Sequence, residues 1–89
     1  MDDIMDILDQ REATHGSYAD TAEVAQLLKL VIHRDPCQPK SFPHYESLDM
    51  IATKMARILT GDANEPEHWL DIEGYARLAR LSIGGDEIG

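Results

Sequence analysis

The chain has 89 residues, 43% of them apolar and 28% charged, the balance of one folded domain rather than of a disordered segment. Eight basic against seventeen acidic side chains leave a formal charge of −9, which works against duplex DNA or RNA and against an anionic membrane, since both are held by clustered Lys and Arg. The lone Cys37 cannot close an internal disulfide and points to a reducing cytoplasm. No apolar run approaches the ~20 residues that span a bilayer, and Asp2 and Asp3 are the opposite of a signal peptide's basic lead.

In chain order, residues 2–12 place Ile4, Ile7, Leu8 and Arg11 at helical spacing and predict a short N-terminal helix. Residues 14–20, with a Gly and several turn-forming polar side chains, break it. Asp20 followed by Glu23 reads as a capping-box start for the next helix. Val24, Leu27, Leu28 and Val31 form its core-facing stripe, and it should end near Ile32 or His33, before Pro36. Residues 34–43 hold three of the four prolines and form a connector. The longest helix is expected over 44–60, with Leu48, Ile51, Ala52, Met55, Ile58 and Leu59 as its apolar face and Gly61 as its C-terminal cap. Asn64 with Glu67 marks the next start, with Pro66 in the first turn; the last helix runs over about 65–81 and fades into an acidic, Gly-containing tail at 84–89. No segment alternates with a period of two. The expected fold is all-α: one domain of three main helices plus the short one within 1–19.

Two of these helices carry more than core residues. On the longest, Glu46 and Asp49 lie three residues apart on the face opposite the apolar set, with Arg57 behind them and Lys54 at the margin. Carboxylates so placed repel unless neutralised by a cation. That cation is Mg²⁺ in one reading and Arg57, as a loose ion partner on a solvated face, in the other. The last helix is apolar on two sides: Trp69, Ile72, Ala76, Ala79 and Ile83 on one, Leu70, Leu78 and Leu81 on the other. Both sides need covering, which a chain this short achieves most simply with another subunit. Gly74, mid-helix, suggests that a backbone or ligand comes close. His68, Asp71 and Tyr75 lie between the stripes, and a carboxylate there should be partly buried. It needs a cation or several donors: a metal ion, or Arg57, Lys54 or Tyr75. His15, His33, His44 and His68 fall in four segments without zinc-ligand spacing, and Cys37 pairs with none of them as a nucleophile.

The runs ESLDMIATKMARILTGD and EHWLDIEGYARLA, with REATHGSYAD upstream, resemble small phage and prophage proteins related to the MazG-like all-α nucleoside triphosphate pyrophosphatase superfamily. Asp49, Lys54, Arg57, Gly61, Trp69, Asp71, Gly74 and Tyr75 carry the likeness, with His15, Gly16 and Tyr18 before them. The resemblance implies a helical bundle completed by oligomerisation, as a dimer or tetramer, in the cytoplasm of the host. It also implies metal-dependent release of pyrophosphate from a nucleotide. Glu46, Asp49 and Asp71 would then be the catalytic Mg²⁺ or Mn²⁺ ligands, and Lys54, Arg57, His68 and Tyr75 would contact the nucleotide. Two positions depart from the superfamily's pairs of acids, Asp49 and His68 each standing where Glu is usual. A neutral imidazole is a poor Mg²⁺ ligand beside carboxylates. Two further functions therefore stand beside hydrolysis: nucleotide binding without turnover, and docking on a host protein through the second apolar stripe.

Overall fold

The computed structural model describes residues 17–34 and 40–84. The helix expected over 2–12, the residues His15 and Gly16 of the upstream turn, Cys37 and the tail beyond Gly84 lie outside the described residues. Those described form three helices, α1 (Tyr18–His33), α2 (Phe42–Thr60) and α3 (Pro66–Ser82), with no strand among them. The all-α expectation holds.

Local chemistry sets the helix ends, and twice it does so with residues other than those expected. Ser17, not Asp20, caps α1: its backbone is extended and its hydroxyl accepts from the Asp20 N–H at 3.4 Å. Asp20 instead sits in the first turn, where its charge favours the helix dipole. At α2 the helix begins two residues before the expected start. Ser41 accepts from the His44 N–H, and the Ser41 N–H donates to His44 Nδ1 at 3.0 Å, a capping box built with a histidine. Gly61 closes α2, its N–H donating to the Arg57 carbonyl at 2.9 Å. Asn64 does not cap α3. Its N–H donates to Asp62 Oδ1 at 2.9 Å within the loop, and Glu65 becomes the N-cap without a side-chain bond. Pro66 explains this, because it holds the residue before it in extended conformation and fits the first helical turn. The Trp69 indole N–H donates to the Ala63 carbonyl at 2.8 Å and ties the loop back onto α3.

Helix α2 lies in the middle, with α1 packed on one side and α3 on the other; α1 and α3 do not touch. Among the described residues the buried core is correspondingly thin: Ala25 of α1, Ala52 and Ala56 of α2, and the polar Thr21, Ser47 and His68. Alanines four residues apart on α2 let helices approach closely but bury little apolar area. The expected apolar stripes are only partly inward. On α1, Val24 and Leu28 are half-buried while Leu27 and Val31 are 56% and 65% exposed. On α2, Ala52 is buried and Ile51 and Ile58 are half-buried, but Leu48, Met55 and Leu59 face outward. The physical reason is that α1 packs through its small Thr21–Ala25 edge, which turns Leu27, Leu30 and Val31 away from α2. An open apolar trough remains between α2 and α3, lined by Ile51, Met55, Ile58, Leu59, Trp69 and Ile72. No described helix is long and apolar enough to cross a membrane.

Candidate functional site

Polar contacts clasp α1 to α2 at both ends. Thr21 and Thr60 share a hydrogen bond of 2.8 Å between hydroxyls. Sixteen residues separate His33 from Asp49, yet His33 Nε2 meets both Asp49 carboxylate oxygens, at 2.8 and 2.9 Å. The imidazole also stacks on Tyr45, ring centres 4.9 Å apart and 17° from parallel. These contacts fix the two helices antiparallel. They also give Asp49 a partner that sequence reasoning had not paired with it, in place of the loose Arg57 contact.

On the other side of α2, Lys54 Nζ lies 2.9 Å from Asp71 of α3, so of the partners weighed for Asp71 the chain uses Lys54. The lysine side chain is 19% exposed and the carboxylate 43%, which keeps the pair in contact with water. Such a pair contributes at most about 1 kcal/mol. His68 is the largest fully buried side chain among the described residues, 2% exposed, and sits within the core rather than on a reachable surface. Tyr75 is half-buried and Glu46 exposed.

The three carboxylates named from the sequence are therefore not gathered within one chain. Asp49 turns towards α1 and Asp71 towards Lys54, and among the described residues no three His, Cys, Asp or Glu side chains are placed to hold a metal ion. Gly74 likewise has no close neighbour among the described residues: a Cβ built there meets nothing within 4 Å.

The cations divide differently from the sequence expectation. Lys54 is neutralised, whereas Arg57, three residues on, faces α1, and its Nε is buried without a hydrogen-bond partner. Leaving a buried donor unsatisfied costs about 1–3 kcal/mol. Arg57 lines a groove of about 180 Å³ between α1 and α2, whose other wall carries Gln26 and Lys29. Lys29 went unnoticed because it is a single charge inside the apolar run 27–32; that interruption is itself the signal, a lysine set where the helix turns from its packed edge.

No family model, no curated protein and no solved structure matches this chain.

Proposed function

We propose that the chain is a subunit of a homo-oligomer that binds a nucleotide, with any hydrolytic centre completed only between copies. The observation that carries this reading is the exposed apolar surface. Among the described residues the buried apolar side chains are three alanines, while Leu27, Leu30, Val31, Leu59, Trp69, Leu70 and Leu78 are each more than half exposed. Large apolar side chains left open on all three helices are what a subunit contact would cover. Nucleotide binding is supported by the resemblance and by a cationic groove in an otherwise acidic chain. Hydrolysis needs Glu46, Asp49 and Asp71 to meet a metal ion, and one copy alone does not gather them.

Light scattering on the wild-type chain should give a dimer or tetramer at micromolar concentration. Leu78→Glu should yield a smaller species of unchanged helicity, because Leu78 is 57% exposed on α3 and is not among the buried residues. A wild-type monomer at these concentrations would defeat the assembly reading. Product analysis over a panel of nucleoside triphosphates with Mg²⁺ or Mn²⁺, beside calorimetry, separates turnover from binding alone. A second reading, docking on another protein, is favoured by the trough between α2 and α3, and predicts that trough substitutions abolish partner capture while nucleotide binding is absent from the wild type.

A further inference from the structure

The α1–α2 groove has four properties that come together nowhere else among the described residues. Two cations line it, Lys29 from α1 and Arg57 from α2, and neither has an ion-pair partner among the described residues. None of its lining side chains is acidic, in a chain with seventeen acids and eight bases. Its floor is built on Ala22 and Ala25, so the gap is open because the side chains beneath it are short. And Arg57 Nε is buried without a hydrogen-bond acceptor, so one N–H at the edge of the guanidinium is already desolvated.

These properties define the kind of group that the groove suits. It carries negative charge, presents several acceptor oxygens, and is small: about 180 Å³ falls below the ~300–1,000 Å³ of pockets that enclose a whole drug-sized ligand. Among the described residues no carboxylate lines the groove, and Asp49, one turn before Thr53 in its wall, is held by His33. We infer that the groove binds a phosphoryl group, with Arg57 and Lys29 as its two cationic contacts and no metal ion between them. The planar guanidinium offers paired donors matched to phosphate oxygens, and the ammonium adds a point charge from the opposite helix. Gln26 supplies a neutral donor at the rim, and the exposed Tyr18 ring at the α1 end of the groove leaves a surface for whatever the phosphate is attached to. The inference rests on the nucleotide reading for the class of ligand, but on neither assembly nor a metal centre. It replaces Lys54 by Lys29 as the second cation.

The test is calorimetric titration of the full chain with pyrophosphate and separately with ATP, both in excess EDTA, for wild type, Arg57→Gln, Lys29→Gln and Lys54→Gln. Pyrophosphate should bind the wild type without metal. Arg57→Gln and Lys29→Gln should each weaken it by about tenfold, the loss expected for one charge-assisted contact. Lys54→Gln should change it by less than about twofold, since Lys54 already serves Asp71. Should Arg57→Gln lose helicity, Lys29→Gln carries the test alone, with amide shifts across 22–29 as a second readout. Absence of metal-free binding, or equal losses in the Lys54 and Arg57 variants, overturns the inference. Binding of ATP with Mg²⁺ that ignores both groove substitutions removes the groove yet leaves the nucleotide reading in place. ATP binding without pyrophosphate binding points to base recognition and also removes it.

Discussion

Lys54 and Arg57 are three residues apart on one helix, yet one is neutralised by Asp71 and the other buries a donor with nothing to accept from it. The difference is one of edges on a shared face: about 60° around α2 separates the two, enough to put Lys54 within reach of α3 and Arg57 in the groove against α1. An unsatisfied buried donor destabilises, so the folding energetics of Arg57 have a definite sign. Arg57→Met keeps the aliphatic stem and removes the orphan N–H, and should stabilise the ligand-free chain by about 1 kcal/mol. For a chain of this length that is a rise in Tm of about 4–8 °C, read by thermal unfolding without phosphate in the buffer. A fall in Tm would mean that the guanidinium already has a partner and that the groove is not waiting for one.

At the scale of the helices, Gly74 offers the sharpest contrast between the resting chain and an assembly. It lies in the interior of α3, where glycine costs about 1 kcal/mol relative to alanine, and a Cβ there meets nothing. Gly74→Ala should therefore raise the stability of the dissociated chain by about that amount, measured by denaturant unfolding at dilute concentration. If the variant instead loses both stability and association, a neighbouring copy lies against that position. The helices themselves were legible in the sequence because their periodicity extends over four or five turns. Their ends are less legible, since a cap depends on one hydroxyl or one proline: Ser17 caps α1 in place of Asp20, Ser41 starts α2 two residues before 44, and Pro66 moves the start of α3 past Asn64. The packed faces were least legible. Counting apolar residues selects Leu27 and Val31 for the core of α1, whereas close approach to α2 selects Thr21 and Ala25. The same limit applies to the site: the Lys54–Asp71 pair was among the pairings open from sequence, but His33–Asp49 and the placement of Lys29 opposite Arg57 depend on how α1 is rotated against α2, which spacing along either helix does not contain.

Taken as a whole molecule, the chain combines uncovered apolar surface with a charge of −9, and those two properties pull association in opposite directions. Burial of Leu70, Leu78 and Trp69 between copies is favourable and nearly indifferent to salt, while bringing two acidic subunits together is opposed by repulsion that salt screens. Raising ionic strength from about 0.01 M to about 1 M shortens the screening length from roughly 30 Å to roughly 3 Å, so association should strengthen over that range. Phosphate binding in the groove depends on attraction to Lys29 and Arg57 and should weaken over the same range. Sedimentation velocity and pyrophosphate titration across one salt series would follow both at once. Assembly that instead falls apart with salt would locate the subunit contact on charged groups rather than on the exposed leucines. Pyrophosphate affinity that stays flat would separate the ligand from the two cations, and the opposed slopes are what an apolar interface and a cationic groove on one acidic chain require.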